Sequence, residues 1–437
     1  MNLTELIKNA GVVGAGGAGF PTHVKSDSSV EYVLANGAEC EPLLHKDYEI
    51  MLNFAEPIVR GFEMMVDKTG AKKGYFGIKG KNAKAIDEVK KHLPSNIEMT
   101  ELGDFYPSGD EYELVYAATK RLIPAGGIPL QVGCVVNNVE TLYNVWQAAQ
   151  GIPVTEKFVC VAGCVKNPSS FFVPIGTPMK EVLKMAGGVT VQDYGVFVSG
   201  IMMGQLSYNT DEPVTKTTAG YIVLPKSHHL ITRKETPEPA RNKIGKSACD
   251  QCSYCTEFCP RYLLGYNVQP HKVMRSLGFT KTGNDIWNQM AELCCACGLC
   301  TLYACPEDLF PKEACDKSKR EMREAGIKYV QPNPPKVHPL KEGRRVPLKM
   351  LMKRLKVTDF DAPTPFIKAD FNPGAVKIMT KQHTGAPAVP VVRTGQRVAK
   401  NEMIAAIDEG KLGANIHASI SGIVTEVNSD FIRIDNH

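Results

Sequence analysis

The sequence predicts a multidomain α/β chain, and three observations carry that prediction. At 437 residues the chain is too long for one ordinary core, so several compact units are expected. Residues 1–150 alternate apolar, strand-like runs with helical stretches, whereas 157–224 and the last sixty or so residues are β-rich. Proline-rich segments at 234–240 and 331–339 have the composition of linkers between these units.

Charge and hydropathy exclude several classes of protein. A net charge of +5 is mild for this length and does not indicate a nucleic-acid partner. No apolar run approaches the roughly 18 residues of a membrane span. The first residues lack the basic region and long apolar stretch of a signal peptide. We therefore expect a cytoplasmic protein with no membrane span.

Most cysteines lie in one part of the chain. Nine of the 14 fall between residues 249 and 305. Eight of these form two runs of Cys-x2-Cys-x2-Cys that each end in a further cysteine followed by proline, and the ninth is Cys295. Without an export signal, such grouping indicates metal or redox ligation rather than disulfides. The first run has the spacing of bacterial ferredoxins, and the second has one extra residue before its last cysteine.

Two [4Fe–4S] clusters are the interpretation that this spacing favours. In two-cluster ferredoxins, the fourth cysteine of each run ligates the other cluster. A pair of zinc sites is the alternative, although zinc sites usually combine two Cys-x2-Cys couples. Cys295 is predicted to be a bystander, because choosing it would break the spacing to Cys297. The predicted ligand sets are Cys249, Cys252, Cys255 and Cys305 for one cluster, and Cys294, Cys297, Cys300 and Cys259 for the other.

A glycine-rich segment near the N-terminus has the spacing of a phosphate-binding loop. Residues 14–19 read G-x-G-x-x-G, and Glu39 follows about twenty residues later, as in a Rossmann fingerprint. Only a short strand can precede the loop, however, and Pro21 stands where a Rossmann helix should already be running. Glycines still let backbone N–H groups approach an anion closely. A purely structural glycine turn is the alternative.

Polar residues follow several apolar runs, and strand ends are where ligands bind in open α/β sheets. Glu39 and Glu41 come after the run 32–35 and would point the same way if the chain were extended. A solvated edge is the alternative for this pair. Two further segments of the same kind are 109–111 and 137–141, the latter at the end of the apolar run 132–136.

Together these segments resemble the FMN- and NADH-binding flavin subunit of respiratory complex I. They resemble more closely the C subunit of the Rnf electron-transport complex and the microcompartment cobalamin reductases of propanediol utilisation. The resemblance implies that the glycine-rich loop and the basic residue after it hold the flavin phosphate, namely Gly14, Gly16, Gly17, Gly19 and Lys25. It implies contacts beside the flavin ring and nicotinamide from Asn36, Glu39 and Glu41, the two glutamates being the candidate catalytic residues, and from Asn137, Asn138 and Thr141. Asp110 and Glu111 stand in place of the paired glutamates of the complex I subunit.

The resemblance covers nearly the whole chain and implies its domain order. The segments are an FMN/NADH-binding domain at 1–153, a β-grasp (SLBB) domain at 154–233, a ferredoxin-like domain for two [4Fe–4S] clusters at 241–330, a Pro-rich basic linker at 331–375 and a lipoyl-like barrel-sandwich module at 376–437. No lysine occupies the hairpin tip of that module, where 416–419 stand, so we expect it to be structural. Its C-terminal position resembles the cobalamin reductases, because the Rnf proteins carry the module ahead of the flavin loop.

The resemblance implies an NADH-dependent oxidoreductase. NADH would deliver hydride to FMN, and electrons would pass through the clusters to a corrinoid, reducing cob(III) or cob(II) towards cob(I)alamin for a B12-dependent diol dehydratase system. One alternative is the Rnf-type NADH:ferredoxin oxidoreductase component named above. Another, of a different class, is a non-catalytic module that binds a ligand or a shell protein.

Two features bear on partners and location. Between 312 and 356 there are 14 Lys or Arg against five Asp or Glu, which indicates either a solvated face or a docking site for an acidic partner. An adenosyltransferase, the diol dehydratase and shell proteins are the partners considered. The apolar residues of segment 3–10 have helical spacing and fit either packing on the flavin domain or targeting to a bacterial microcompartment, the expected location.

Overall fold

The computed structural model describes residues 2–278 and 286–436, and its first module is a four-stranded parallel sheet with helices on both faces. The central strand carries the apolar run 32–35, which is typical of a parallel strand covered on both sides. The register pairs Ala35 with Asn137 and Asn36 with Asn138, so polar side chains that end two neighbouring strands meet at one edge. The strands are, in sheet order, Ile97–Leu102, Lys73–Lys79, Tyr32–Gly37 and Cys134–Asn138. The helices are Leu3–Asn9, Thr22–Ser26, Lys46–Asn53, Ala55–Thr69, Ala83–Lys90, Glu111–Thr119 and Val139–Ala149, with a 3-10 turn at Pro129–Val132.

The N-terminal helix belongs to this module. The Asn2 side chain accepts from the Glu5 N–H, and the Glu5 carboxylate accepts from the Asn2 backbone N–H, which completes a capping box. Ile7 is fully buried in the core of the sheet domain, and the helix packs against Val139–Ala149. Of the two interpretations of the apolar residues in segment 3–10, packing on the flavin domain is the one that the structure shows. Across residues 2–278 and 286–436, no helix combines the length and the apolar character needed to cross a membrane.

The second domain is a mixed five-stranded sheet that carries one helix, as the predicted β-grasp domain requires. Glu156–Gly163 runs parallel to Gly220–Pro225, and the other neighbouring strands are antiparallel. Side chains of the sheet pack on the helix Met179–Met185, with Val182 fully buried among them. The strands are, in sheet order, Ser169–Pro174, Glu156–Gly163, Gly220–Pro225, Tyr194–Val198 and Gln205–Ser207.

The segment 234–240, predicted as a linker, is largely helical. One helix spans His229–Glu235 and the next spans Glu238–Ala248, with the break at Pro237. Pro239 lies in the first turn of the second helix, where a backbone N–H has no partner in any case, so proline is tolerated there. The linker prediction for 234–240 was therefore wrong, because prolines that stand at a helix start have the same composition as a linker.

Short helices surround the cysteine-bearing loops. Cys255 lies in one of these helices and Cys300 in a π-helical turn, whereas most of the other cysteines of the two runs lie in irregular backbone. The helices are Tyr254–Glu257, Pro260–Leu263, Pro270–Ser276, Ile286–Gln289 and Pro311–Glu324, with a 3-10 turn at Met290–Leu293 and a π-helical turn at Cys300–Ala304.

The stretch 331–375, expected to be a linker, contains regular elements that pack on the domains. Val346–Pro347 pairs with Phe105–Tyr106 of the first module, and the helix Leu348–Arg354 follows, with 3-10 turns at Glu342–Arg344 and Thr358–Phe360. Thr364 is fully buried against the β-grasp sheet, where its carbonyl accepts a hydrogen bond from Ser170. The stretch therefore joins the modules through contacts and not only through the chain.

The C-terminal module is a sandwich of two small sheets. One contains Ala375–Met379, Phe431–Asp435, Gly422–Val427 and Arg397–Val398, in that order. The other contains Val389–Pro390, Met403–Ala406 and Ile416–His417. Its core side chains belong to the same apolar cluster as those of the first module.

A close helix crossing in the first module provides a test of the fold. A Cβ built on Gly61 would overlap the carbonyl oxygen of Leu142 in the helix Val139–Ala149. We expect Gly61→Ala to lower the unfolding temperature by roughly 3–10 °C, because overpacking outweighs the gain in helix propensity. Gly374→Ala is the matched control, since nothing lies within 4 Å of a Cβ there. Equal unfolding temperatures for the two variants would contradict the crossing.

Candidate functional site

The first half of the glycine-rich loop is held by side chains of the helix Val139–Ala149 and of the β-grasp domain. The Gly14 N–H donates to the Phe20 carbonyl at 2.9 Å and closes the loop. The Ala15 N–H donates to Thr141 Oγ1 at 2.9 Å, and Lys157 Nζ donates to the Ala15 carbonyl at 3.2 Å. Residues 16–18 are exposed, and within the described part of the chain their backbone N–H groups donate to no protein acceptor. Such free N–H groups fit the phosphate of a flavin nucleotide.

The end of the edge strand Cys134–Asn138, beside the central strand Tyr32–Gly37, presents an unsatisfied amide. Asn137 is 2% exposed, and both polar atoms of its side chain lack a hydrogen-bond partner among the described residues. A buried amide left in this way is costly, so a ligand with a donor and an acceptor fits the position. Lys25 Nζ donates to the Val136 carbonyl at 2.7 Å, and burial lowers the pKa of this lysine. Asn36 Nδ2 donates to the Gly109 carbonyl at 2.8 Å.

Two other residues predicted to contact the flavin, Asn138 and Thr141, form hydrogen bonds with protein groups. Asn138 Oδ1 accepts from the Glu140 N–H at 3.0 Å and caps the helix Val139–Ala149, while its Nδ2 donates to Asp47 Oδ2 at 2.8 Å. Thr141 holds the loop as described above. Both lie at the predicted site, and their direct contact with a flavin stays a prediction.

Behind the loop lies a buried network of charges that the sequence analysis missed. Glu140 is 1% exposed and forms ion pairs with Lys157 and, at 3.0 Å, with Lys46. Lys46 also contacts Asp47 at 2.6 Å. Burial opposes ionisation of Glu140, but the two ammonium groups outweigh it and hold the pKa of its carboxyl below the usual value. Only the proximity of Glu140 to the predicted residues of segment 137–141 could have signalled this network.

The two candidate glutamates engage different elements. The strand ends at Gly37 and the backbone beyond it is irregular, so Glu39 and Glu41 are not placed as in an extended chain. Glu39 Oε2 accepts from the Asp47 N–H at 2.9 Å. Glu41 accepts from two backbone N–H groups of the β-grasp turn, those of Met202 at 3.0 Å and Met203 at 2.9 Å. Glu41 therefore ties the first module to the second.

Both carboxyls are hard to ionise. Burial, with a contribution from Asp47, raises the pKa of Glu39 to about 8. Burial also raises the pKa of Glu41 to about 7, against the effect of its two N–H donors. At neutral pH the Glu39 carboxyl is consequently protonated for most of the time and can act as a donor.

The adjacent pair Asp110 and Glu111 divides between two surroundings. Asp110 caps the helix Glu111–Thr119 and forms an ion pair with Arg261 at 3.0 Å, so its carboxylate faces the cysteine-rich region. Burial raises the pKa of Glu111, partly offset by the ammonium group of Lys25. Asp110 is thus engaged by the helix start and by Arg261, whereas Glu111 lies near enough to Lys25 to be influenced by its charge.

The first predicted set of cluster ligands surrounds one cavity. Cys249, Cys252, Cys255 and Cys305 all line it. Burial and then the neighbouring thiols of Cys305, Cys249 and Cys252 raise the pKa of Cys255 to about 12. Cys252 is exposed while Cys255 and Cys305 are buried, so this set reaches the surface at Cys252. Four thiols from both runs around one space fit a [4Fe–4S] cluster with crossed ligation.

The second predicted set is more deeply buried. Cys259 and Cys300 are both 7% exposed, and in each the pKa is raised by burial and by nearby thiols that include Cys294. A hydrogen bond with Cys295, together with burial, raises the pKa of Cys297. Cys295 therefore packs beside Cys297, and its assignment as a bystander rather than a ligand stays a prediction.

The zinc alternative makes a different geometric demand. One zinc ion draws its ligand sulfurs to about 2.3 Å. In residues 2–278 and 286–436, no group of three or more His, Cys, Asp or Glu side chains is arranged to hold a single metal ion. The choice between zinc and clusters therefore rests on the spacing of the two cysteine runs.

The second set is in contact with the flavin side of the first module. Tyr106 Oη donates to the Cys297 carbonyl at 2.8 Å, and a Cβ on Gly109 in the same loop would lie 3.4 Å from Cys40 Sγ. The ion pair of Asp110 with Arg261, two residues after Cys259, makes a second connection. One short segment, 106–110, therefore spans from the strand end to the buried thiols.

The raised pKa of Glu39 leads to a pH prediction. The folded protein keeps this proton up to about pH 8, whereas an unfolded chain releases it near 4.5, so stability is lost as pH rises through that window. The side chain introduced by Glu39→Gln stays neutral at every pH, so this variant should lose less stability as the pH rises. We expect its unfolding temperature to gain on the native protein between about pH 5.5 and 8.5. Exposed Glu56→Gln is the control, and parallel pH profiles for the native protein and Glu39→Gln would contradict the assignment.

Four protein-family models match the chain in the order of its modules. They are the Nuo51 FMN-binding domain at 7–147, the SLBB domain at 158–205, a 4Fe-4S dicluster domain at 248–310 and the RnfC barrel sandwich hybrid domain at 362–435. The predicted fold class is confirmed, as are FMN and two [4Fe–4S] clusters as cofactors. The zinc alternative is not supported.

Similarity to known proteins extends over the whole chain. Cobalamin reductase PduS of Citrobacter freundii is 39% identical over 433 residues, which cover 99% of this chain and 96% of that protein. Cobalamin reductase PduS of Salmonella typhimurium has the same identity and coverage. A component of the Na(+)-translocating ferredoxin:NAD(+) oxidoreductase complex of Acetobacterium woodii is 35% identical over 274 residues, covering 61% of this chain and 59% of that one. The chain belongs to the cobalamin reductase PduS family.

Proposed function

We propose that this chain is an NADH-dependent oxidoreductase that transfers electrons through FMN and two [4Fe–4S] clusters to cobalamin, reducing it towards cob(I)alamin. The observation that carries the proposal is the match along 99% of the chain to two proteins named cobalamin reductase. The contact between the flavin side and the buried thiols supports it, because electrons need a continuous route. The product would serve a B12-dependent diol dehydratase system.

The residues at the sheet edge provide binding and orientation. Bound FMN supplies the chemistry of accepting a hydride and releasing single electrons. The N–H groups of 16–18 would hold its phosphate, and the unsatisfied amide of Asn137 would bind the polar edge of its ring. Glu39, largely neutral at pH 7, adds no full negative charge beside a hydride donor. Glu41 acts in this arrangement by holding the β-grasp turn.

The two ligand sets have different places along the route. The buried set that contains Cys297 contacts Tyr106 and therefore adjoins the flavin side. The other set reaches the surface at Cys252. We infer that electrons enter the buried cluster first and leave through the exposed one, where a corrinoid or a protein partner can approach.

Partners and location are the finer part of the proposal. In the basic stretch 312–356 several charges have acidic partners inside the protein, which reduces the charge free to bind an acidic partner. Examples are Lys341 with Glu113 at 2.8 Å and Arg344 with Glu257 at 3.1 Å. An adenosyltransferase, the diol dehydratase or shell proteins, and a place inside a bacterial microcompartment, stay predictions.

The rival functions fit less of the chain. The Rnf-type relative matches over 61% of this chain, and the barrel-sandwich module here lies at the C-terminal side. A non-catalytic binding module would not need two complete cysteine runs, and both are present in a matched dicluster domain.

The acceptor is tested anaerobically. Iron-reconstituted protein with FMN is mixed with NADH and cob(II)alamin, and visible absorbance is followed. We expect NADH-dependent reduction of the corrinoid and none without NADH. If NADH bleached the flavin and the clusters but left the corrinoid unchanged, the electron-transfer core would stand and cobalamin would be the wrong acceptor.

The order of the clusters is tested by removing one at a time. We expect Cys297→Ala to stop NADH from reducing the remaining cluster, seen as loss of its EPR signal in freeze-quenched samples. Cys252→Ala should keep fast reduction of the buried cluster but lower corrinoid reduction to background. Cys164→Ala, in the β-grasp domain, is the control. Fast reduction of the exposed cluster in Cys297→Ala would show that the proposed order is wrong.

A further inference from the structure

We propose that the C-terminal barrel-sandwich module forms part of the FMN site, and that Thr384 positions the second half of the phosphate loop. The Thr384 N–H donates to the Gly19 carbonyl at 3.0 Å. Its Oγ1 donates to the Ala18 carbonyl at 2.7 Å. Two consecutive carbonyls of the loop are therefore held by one residue that lies 366 positions away from Ala18 along the chain.

These two hydrogen bonds set the direction of the loop's donors. In a planar trans peptide, the N–H points away from the C=O of the same unit. Because the Ala18 carbonyl points to the barrel-sandwich module, the Gly19 N–H points to the opposite side. The two hydrogen bonds from Thr384, here called the clamp, thus orient the Gly19 N–H away from the barrel-sandwich module. This donor adds to the free N–H groups of 16–18. Orientation of these donors is what an anion site requires.

The approach of the module leaves no room for a side chain at Gly19. This residue is buried and has a φ of +64°, in the left-handed region. A Cβ there would lie 3.0 Å from the Cα of His383 and 3.0 Å from Thr217 Cγ2 of the β-grasp domain. The loop is consequently seated between two other modules.

A buried lysine keeps the barrel-sandwich module in this place. Lys216, 2% exposed, donates from Nζ to the Gly11 carbonyl at 2.6 Å and to the Asn415 carbonyl at 2.8 Å. Its backbone N–H donates to Gln382 Oε1 at 2.8 Å. One side chain of the β-grasp domain therefore joins the chain ahead of the glycine-rich loop to the module that clamps it.

The hairpin tip without a lysine has a docking role in this arrangement. Ala418 and Ser419 are fully buried, and Ser419 Oγ donates to the Ile175 carbonyl at 2.5 Å. A tip packed in this way cannot carry a swinging cofactor. It fastens the module to the β-grasp domain and so holds Thr384 against the loop.

Thr384→Val tests the proposal on the full chain, freed of flavin but with its clusters intact. We expect the Kd for FMN, measured by fluorescence titration, to rise roughly three- to tenfold, the loss that follows from one hydrogen bond. Thr380→Val is the matched control, because Thr380 Oγ1 donates to the Ser429 carbonyl at 2.7 Å in the same module, away from the loop. Thr384→Ser keeps a hydroxyl and should restore the affinity.

A second measurement does not depend on how the variants fold. In hydrogen–deuterium exchange of the native chain, FMN should slow exchange in 380–388 and leave 427–431 unchanged. Native affinity in Thr384→Val, an equal loss in Thr380→Val, or no FMN effect on 380–388 would each overturn the proposal. The test reads FMN binding alone, so it stands whether or not a corrinoid is the acceptor.

Discussion

The arrangement of the modules depends on one buried carboxylate. Glu140 lies at the start of the helix that follows the edge strand Cys134–Asn138, and it binds Lys46 of the same module and Lys157 of the β-grasp sheet. The Phe158 N–H adds a hydrogen bond at 3.0 Å. Burying an isolated charge costs several kcal/mol, so the carboxylate and its lysines must stay together. Because Lys157 also reaches the Ala15 carbonyl, the same group fixes the loop and the domain contact.

Features that depend on local spacing could be predicted from the sequence. The thiols of each cysteine run are only a few residues apart, close enough for one loop to bring them to one cluster. The spacing therefore predicted both the number of clusters and their [4Fe–4S] type. The glycine-rich loop and the ends of the strands before Asn36 and Asn137 were likewise local signals. The parallel sheet then brought those two ends together by its register.

Features that depend on distant partners could not be predicted. Glu41 is bound by a turn 161 residues further on, and Asp110 by Arg261, 151 residues further on. No pattern around either acid names its partner. The start of the helix Glu238–Ala248 could not be predicted either. Pro237 and Pro239 give this segment the composition of a linker, although both stand at positions where a helix start tolerates proline. Cys295 shows what spacing cannot predict about the cluster sites, because spacing alone did not reveal that this residue packs beside Cys297.

The clamp on the glycine-rich loop has a consequence for biosynthesis. Ala18 leaves the ribosome 366 residues before Thr384. At about 5–20 residues per second, the loop waits roughly 20–70 s for the residue that holds its carbonyls. The sheet of the first module is synthesised well before that, but its nucleotide site is finished only when the last module has docked. Loading with flavin is then a late event in maturation.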